Sequence, residues 1–260
     1  MDLDRAERVS ELYIKKDTLS TRINLHAKYS INKYGWHNWV FDQYKLTENM
    51  KILEFGCGTG NIWIDKEKEI HKNTQIILTD ISPLMIEKVK ENLNKNTSFE
   101  FQIMDIQNTP FGDNDFDVVI ANHMLYHVPD ISKALSEIKR ILKNDGYLYT
   151  TTIGENSLKE LQDIYRIYEN KFKFHYSNQL SFTLENGKDI LEKFFKQIDT
   201  KLYIDSLEVT DVNDLMDYIT SSNNLPEEIY KEIYEVVNNQ ISEKGMFKIR
   251  KDQGMFICRI

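Results

Sequence analysis

The sequence predicts an α/β protein with a doubly wound, mostly parallel sheet of seven strands. First, short apolar runs alternate with segments of helical periodicity through the centre of the chain, as in parallel sheets with helical crossovers. Second, the run 118–121 is apolar without interruption, which is typical of a strand covered on both faces. Third, the apolar run 52–55 ends in Gly56, Gly58 and Gly60, a turn suited to the carboxyl end of a central strand, where ligands bind.

Local signals delimit the individual elements. Segment 99–104 alternates apolar and polar residues, which favours a strand nearer the sheet edge. Ser82 and Pro83 supply an N-cap and a first helical residue, and Gly146 ends a helical stripe that begins at Ile131. The predicted strands are 52–55, 74–80, 99–104, 118–121, 147–153, 198–204 and 254–260, and the predicted helices are 61–71, 83–93, 131–142, 158–168, 190–195 and 226–237.

No linker, internal repeat or low-complexity tract divides the chain, so we expect one unit with additions. Residues 1–45 combine helical spacing with many aromatic side chains, which predicts a helical N-terminal extension that packs on the sheet or acts as a lid. The main domain is predicted to span 46–260. A cap inserted after the fifth strand is expected to have elements around 155–185 and 205–245.

Composition restricts the class of protein. The 260 residues, of which 41% are hydrophobic, suit one α/β domain with additions. The 33 basic and 41 acidic residues give a net charge of −8, which works against broad binding to a phosphate backbone. We therefore expect a small-molecule partner and no DNA partner, in a protein that is a monomer or a homodimer.

Cysteine usage and the N-terminus bear on location. Cys57 and Cys258 have no metal-ligand spacing and favour a reducing compartment. No stretch approaches the ~18 uninterrupted apolar residues of a spanning helix, and residues 1–10 lack the apolar core of a signal peptide. A cytoplasmic protein without a membrane partner is the expectation.

The glycine turn separates two kinds of cofactor. A dinucleotide fingerprint, G-x-G-x-x-G, needs its third glycine at position 61, where the chain has Asn61. The glycines instead occupy alternate positions, and Glu54 stands two residues before the first of them. A nicotinamide oxidoreductase is therefore the disfavoured alternative.

The stretch 53–60, Leu-Glu-Phe-Gly-Cys-Gly-Thr-Gly, resembles the E/D-x-G-x-G-x-G motif of class I S-adenosylmethionine-dependent methyltransferases. The similarity continues through 79–82, 105–106 and 116–120 as far as Ile153. Within that family the chain is similar to the small-molecule group that includes the menaquinone and ubiquinone methyltransferases. The resemblance implies a Rossmann-like methyltransferase fold, S-adenosyl-L-methionine as cofactor, S-adenosyl-L-homocysteine as product, and no metal.

The resemblance also implies roles for the residues of the turn. Gly56, Gly58 and Gly60 would pass beside the methionine and ribose parts of the cofactor, with backbone groups that hydrogen-bond its charged ends. Glu54 would brace this loop and touch the cofactor only indirectly. Asn122, just past the fourth strand, would offer its backbone carbonyl to the methionine amino group.

Two acids at strand ends would hold the adenosine. Asp80 would accept hydrogen bonds from both ribose hydroxyls, a bidentate role that suits a carboxylate, while Ile81 and Met85 pack against the adenine. Asp105 would accept from the adenine amino group, and the backbone N–H of Ile106 would meet a ring nitrogen. The plainer alternatives are a helix cap at Asp80 and a solvated loop acid at Asp105.

Methyl transfer from a sulfonium is an in-line displacement that requires alignment, exclusion of water and, for some nucleophiles, a base. His123 and His127 follow the fourth strand and are the candidate catalytic or substrate-contacting residues. Their i, i+4 spacing also fits zinc, but no HExxH glutamate lies between them and Pro129 follows. In the family a histidine at the position of His127 is commonly a packed, structural residue.

Residues of the N-terminal extension are candidates to close over the site. Arg22 and Tyr29 are predicted to contact the cofactor. Tyr29 is the first choice, because an aromatic ring near a sulfonium lowers the cost of burying that charge. His26 and Trp36 are predicted to contact the substrate. The alternative for all four is packing on the helical flank.

The cap is expected to contact the acceptor through Tyr165 and Tyr168. These residues belong to an aromatic segment that continues through Phe174, His175 and Tyr176, and its composition suggests a ring-bearing or apolar acceptor.

The interpretation is a small-molecule methyltransferase that acts on an oxygen, nitrogen or carbon nucleophile. One alternative binds S-adenosylmethionine without methyl transfer, and another methylates a protein or tRNA. Enzymes that methylate exocyclic or amide nitrogens carry an Asn/Asp-Pro-Pro-aromatic motif after the fourth strand. Here that position reads Asn122-His123-Met124-Leu125, which disfavours DNA and glutamine substrates.

Overall fold

The computed structural model describes residues 16–66, 68–93, 99–174 and 180–260. The helices are α1 (Lys16–Tyr29), α2 (Trp36–Asp42), α3 (Pro83–Leu93), α4 (Ile131–Ile141), α5 (Lys159–Tyr168), α6 (Gly187–Leu191), α7 (Val212–Ser222) and α8 (Glu227–Lys244). The strands are β1 (Lys51–Phe55), β2 (Gln75–Asp80), β3 (Phe99–Ile103), β4 (Phe116–Asn122), β5 (Leu142–Ile153), β6 (Gln197–Val209) and β7 (Phe247–Arg259).

The described strands form one seven-stranded sheet in the order β3-β2-β1-β4-β5-β7-β6. Strands β1 to β5 pair in parallel, whereas β7 runs antiparallel to both β5 and β6. Leu53 pairs with Ile77 on one side and with Val119 on the other, so β1 lies at the centre. The chain order reverses between β1 and β4, which creates the crevice where ligands of such sheets bind. The predicted doubly wound, mostly parallel fold is confirmed.

Helices cover both faces of this sheet, which explains the uninterrupted apolar runs. On one face, Leu53 and Val119 join the buried stripe of α4. On the other face, Ile52 and Ile120 pack with α2 and α3. Because side chains alternate along a strand, neighbouring residues of β1 belong to different cores, and its buried positions are apolar except for Glu54.

A third buried cluster, called the cap below, lies beyond the carboxyl end of β5. It joins α1 with α5, α7, α8 and the paired ends of β6 and β7. Leu25 and Ile233 are among its buried members. None of the helices in the described part of the chain is long and apolar enough to cross a membrane.

The sequence prediction of a helix over 61–71 was wrong. The described residues of this segment form separate turns, and Asp65 has a left-handed backbone with φ 61°. Trp63 is fully buried, and its indole N–H donates to the Glu54 carboxylate at 2.5 Å. The segment therefore turns inward to bury a large side chain beside β1.

The last three strands are longer than predicted. Strand β5 begins at Leu142 rather than at residue 147, and β6 and β7 pair along 13 residues each. The second half of β6 and the first half of β7 extend past the end of β5, so they support the cap as well as the sheet.

Candidate active site

A cavity of about 220 Å³ opens at the carboxyl ends of β1, β2, β3 and β4. This is the crevice at which the strand order reverses, as expected for a ligand site of a doubly wound sheet. The described residues that line it are Phe55, Gly56, Gly58, Thr59, Asp80, Ile81, Met85, Met104, Asp105, Ile106, Asn122, His123, Met124 and His127.

The glycine loop gives the cavity its shape. Gly56, Gly58 and Gly60 all have left-handed backbones, with φ values of 64°, 55° and 75°. A Cβ at Gly60 would lie 2.6 Å from Val89 Cγ2, so this glycine permits close packing of the loop on α3. A Cβ at Gly58 would have no neighbour within 4 Å, and this glycine lines the cavity. Gly58 therefore leaves open the space that a ligand would occupy.

Asp80 connects the glycine loop to the end of β2. Its Oδ2 accepts a hydrogen bond from the Gly58 N–H at 3.0 Å, and its Oδ1 accepts from the Ser82 N–H at 2.9 Å. Burial raises the pKa of this carboxyl above its ordinary value, although these backbone donors oppose the shift. Each carboxylate oxygen can accept a further hydrogen bond, so Asp80 can hold a ligand hydroxyl while it fixes the loop.

Asp105 and Ile106 form the adjoining wall after β3. The backbone N–H of Met104 donates to the Asp80 carbonyl at 3.0 Å, which fixes the end of β3 against β2. Asp105 Oδ1 accepts from the Gln107 backbone N–H at 3.0 Å, and the Gln107 amide also lies within hydrogen-bonding distance of the carboxylate. The two predicted adenosine acids thus lie at the ends of adjacent strands and line the same cavity.

Glu54 lies behind the loop rather than in the cavity lining. Besides the bond from Trp63, its Oε1 lies 3.5 Å from Asn122 Nδ2, and that amide donates to the Tyr44 hydroxyl at 2.7 Å. Trp63 and Tyr44 are contributors that the sequence analysis missed. A tryptophan placed nine residues after a buried acid was the available signal, but the prediction of a helix over that segment concealed it.

Asn122 has one unpaired hydrogen-bond acceptor that a ligand could use. Its Oδ1 is buried and has no hydrogen-bond partner among the described residues. Asn122 lines the cavity at the end of β4. Together with the space at Gly58 and the acceptors of Asp80, this unpaired oxygen fits a ligand that carries both hydroxyl and ammonium donors.

The Glu54 carboxyl should make stability depend on pH. Burial raises its pKa from 4.5 to about 7, although hydrogen bonds from Trp63 and Asn122 oppose the shift. Since the folded-state pKa lies above the unfolded-state value, we expect the free energy of unfolding to fall as the pH rises between these values. The decrease should reach up to about 3 kcal/mol.

Denaturant unfolding between about pH 5 and pH 8 measures this decrease. Glu54→Gln keeps the side-chain shape and an acceptor for Trp63 but cannot titrate, so its stability should vary less with pH over that range. The same pH dependence in both proteins would contradict the assignment.

His123 lies past β4 with a left-handed backbone, φ 47°. Its N–H donates to the carbonyl and hydroxyl oxygens of Thr151 at 3.0 and 3.1 Å, which holds the turn against β5. Its ring lies 5.1 Å from the Trp36 ring. Burial, with smaller electrostatic contributions from nearby His37, His127 and Lys251, lowers the pKa of the His123 imidazole to about 4, so the ring is uncharged at neutral pH.

His127 ends a short 3₁₀ turn, Leu125–His127, and lines the cavity on the same side as His123. Its ring lies 4.6 Å from the Tyr126 ring. Both histidines singled out in the sequence are therefore brought together beyond the glycine loop.

Trp36 does not line the cavity but lies one layer behind it. The ring packs on His123 and lies 5.2 Å from Tyr203 and 5.3 Å from Trp39. Helix α2 thus supports the wall that His123 forms.

The structure does not bring Arg22, His26 and Tyr29 to the cavity. Arg22 and His26 lie against the Tyr218 ring, and the Tyr29 hydroxyl donates to Asp214 at 2.5 Å. The reason is that α1 packs against α7 and β6, so its inward face is used by the cap core.

Tyr165 and Tyr168 are likewise buried in the cap core and do not line the cavity. Tyr165 stacks on Phe174 with ring centroids 4.5 Å apart. His175 and Tyr176, named with them in the sequence analysis, lie outside the described residues.

A glycine loop after the central strand, followed by acids at the ends of the next two strands, defines a nucleoside-cofactor site on a Rossmann-like sheet. Residues 46–198 match the family model described as a methyltransferase domain. This match covers more than half of the chain, and the chain belongs to that family. It is a class I methyltransferase that depends on S-adenosylmethionine.

Similar proteins agree with this assignment. A demethylmenaquinone methyltransferase of Staphylococcus aureus is 27% identical over 177 residues, which cover 63% of this chain and 73% of the relative. A malonyl-[acyl-carrier protein] O-methyltransferase of Legionella pneumophila is 30% identical over 121 residues, which cover 46% of this chain and 42% of the relative.

Solved structures show the same fold at low sequence identity. A Bacillus halodurans protein described as a methyltransferase has a TM-score of 0.59 at 16% identity, with 86% of this chain and 97% of that chain covered. A phosphoethanolamine N-methyltransferase of Haemonchus contortus, in complex with S-adenosylhomocysteine, has a TM-score of 0.53 at 18% identity, with 86% and 52% covered.

Proposed function

We propose that the chain transfers the methyl group of S-adenosylmethionine to an oxygen, nitrogen or carbon nucleophile of a metabolite by in-line displacement. The observation that carries this proposal is the continuity of one cavity. Asp80 and Asp105 line this cavity together with His123, Met124 and His127. A cofactor bound along the acids would direct its reactive end toward the histidines.

The cofactor roles follow from the chemistry of the lining. Asp80 is assigned to the ribose hydroxyls, because its carboxylate lines the cavity and retains acceptor capacity. Asp105 and the backbone of Ile106 are assigned to the adenine, and Ile81 and Met85 to its apolar faces. These four residues line the wall next to Asp80.

The methionine part is assigned to the loop and to the end of β4. Gly56, Gly58 and Gly60 shape the loop, and Glu54 braces it from behind. The carbonyl of Asn122 is the proposed acceptor for the ammonium group. Its unpaired side-chain oxygen is a second acceptor at the same place.

When bound, the cofactor supplies an electrophilic methyl group on a sulfonium. The protein aligns the acceptor, excludes water and removes a proton where the nucleophile carries one. His127 is the proposed base. His123, whose pKa of about 4 makes it a weak base, is proposed to contact the acceptor as an uncharged hydrogen-bonding group. No metal is assigned a role, because a sulfonium already has a good leaving group.

The proposed acceptor is ring-bearing or apolar. Met124 and His123 form the wall beyond the loop, with Trp36 behind it. The name of the Staphylococcus aureus relative gives demethylmenaquinone, a quinone, as the compound that it methylates. The extension 1–45 and the cap elements around 155–185 and 205–245 are proposed to cover this acceptor, as a lid on the domain 46–260.

The protein is further proposed to be cytoplasmic and to have no DNA partner. The net charge of −8 supports the second point. Cys57 and Cys258 are both free and buried, which supports a reducing compartment.

Turnover tests this proposal. The full chain is incubated with S-adenosylmethionine and a panel of phenols or quinols, amines and carboxylates, and S-adenosylhomocysteine is quantified. We expect one acceptor class to raise product formation clearly above the rate without acceptor. Parallel samples contain tRNA or unfolded protein as acceptors.

Binding without turnover on any acceptor would favour a cofactor-binding protein that transfers no methyl group. Turnover with tRNA or protein alone would replace the small-molecule proposal. The variant Asp80→Ala, tested under the same conditions, should lower the rate at limiting cofactor, which ties any activity to this site.

A further inference from the structure

Strand β6 forms the end of the sheet and has a largely unpaired outer edge. It pairs on one side with β7, residue by residue, from Gln197 opposite Arg259 to Val209 opposite Phe247. On the other side, the segment 30–32 reaches its end only, through the bridge between Ser30 and Leu207. In the described part of the chain, nothing pairs with the backbone of 197–203 on that side.

The direction of the free backbone groups can be read from their neighbours. The carbonyl of Ser206 accepts from the Ile31 N–H, and the carbonyl of Ile204 accepts from the Asn32 side chain, so both point outward. Groups of alternate residues in a strand point the same way. The N–H and C=O groups of Ile198, Thr200 and Leu202 therefore face outward too.

The same edge exposes apolar side chains. Leu202 is 59% exposed and Ile204 is 76% exposed, and they share one face of the sheet with Ile198. An unpaired edge with exposed apolar residues invites another strand, which is why most proteins block it.

We propose that a second copy of this chain pairs antiparallel with the β6 edge, about a two-fold axis at Thr200, to make one sheet continuous across both copies. In this register Thr200 meets Thr200 of the second copy, and Ile198 meets Leu202. Because all three residues have outward-facing backbone groups, they form hydrogen-bonded pairs across the axis.

Charge favours this register over those with the two-fold axis one residue to either side. Asp199 of each copy lies opposite Lys201 of the other, so two opposite-charge pairs form on the second face. A two-fold axis at Asp199 or at Lys201 would instead place like charges against each other. The ion pairs among the described residues include neither Asp199 nor Lys201, and both side chains are exposed, so both are available.

Charge reversal tests the proposal on the full chain. By sedimentation equilibrium at micromolar concentration, we expect the native protein at twice the 30.8 kDa chain mass. Asp199→Lys alone and Lys201→Asp alone should each weaken the dimer about tenfold or more, because both cross-strand pairs become like-charged. The double variant D199K/K201D should dimerise again, and so should an equimolar mixture of the two single variants.

A cysteine at the axis provides an independent readout. Hydrogen-bonded antiparallel partners have Cα atoms about 5.5 Å apart, within the range of a disulfide. Thr200→Cys should therefore form a disulfide-linked dimer under mild oxidation. Ile204→Cys, exposed on the same strand but displaced from the axis, should not.

A native protein that is a monomer in solution would overturn the proposal. The β6 edge would then be left open, or be covered by another segment of the chain or by a different partner. A dimer that survives both single charge reversals, or that cross-links equally through position 204, would overturn it too. Circular dichroism and cofactor affinity of the variants should match the native protein, because these positions do not line the cavity.

Discussion

Replacing Asp80 with alanine is expected to weaken the binding of S-adenosylhomocysteine roughly 10- to 150-fold, or about 1.5–3 kcal/mol. The buried carboxylate holds Gly58 and lines the cavity, so its loss removes both a ligand acceptor and a brace of the loop. Isothermal titration calorimetry measures the effect.

Asp117→Ala is the matched control. Asp117 also accepts from a backbone N–H, that of Lys51 at 2.8 Å, and from the Lys143 ammonium group, but at the opposite end of the sheet. Its loss should lower the free energy of unfolding and leave the affinity within about twofold of native. Equal losses of affinity in the two variants, or none in Asp80→Ala, would remove Asp80 from the cofactor site.

A leucine at Gly58 should reduce cofactor affinity by on the order of 100-fold or more, with the fold retained, because its side chain enters the ligand space rather than the core. The position has no neighbour within 4 Å and lines the cavity. The left-handed backbone, φ 55°, adds a strain of about 1–2 kcal/mol that appears as lost stability.

Gly245→Leu is the control that distinguishes the effect of backbone strain from the effect of filling the ligand space. Gly245 has φ 77° and likewise no neighbour within 4 Å, but it ends α8 and does not line the cavity. Both variants should lose similar stability by thermal unfolding, and only Gly58→Leu should lose affinity for S-adenosylhomocysteine. Native-like affinity in Gly58→Leu would mean that the cofactor does not pass beside this loop.

The parts of the site that the sequence predicts are those that strand ends determine. The glycine turn follows β1, Asp80 and Asn122 end β2 and β4, and Asp105 lies just past β3; parallel strands end at one edge of the sheet. Local pattern and topology therefore suffice to bring these residues to one cavity. His123 and His127 follow β4 and reach the same cavity for the same reason.

The residues that the sequence does not place are those whose surroundings depend on the cap. Tyr29 and Tyr165 have the aromatic character and helical spacing of buried residues, but a pattern of burial does not say which element covers them. Because α1 packs on α7, the Tyr29 hydroxyl donates a hydrogen bond to Asp214 instead of reaching the cavity. Trp63 was missed because an apolar residue in a presumed helix gives no sign that the chain turns inward toward Glu54.

Strand β6 shows that the length and the surroundings of a strand also depend on pairing that a local sequence pattern does not reveal. The sequence predicts a strand over its core, 198–204. Its extension to Val209 depends on pairing with β7, which is distant in the chain. The open outer edge follows from the order of strands and is invisible in a local pattern.

A crystal structure of the full chain with S-adenosylhomocysteine tests the central claim most directly. The account predicts the ribose hydroxyls on the Asp80 carboxylate, the adenine beside Asp105 and Ile106, and the sulfur next to the glycine loop with His123 and His127 beyond it. A ligand bound elsewhere, or bound in this cavity with Asp80 and Asp105 turned away from it, would contradict the account.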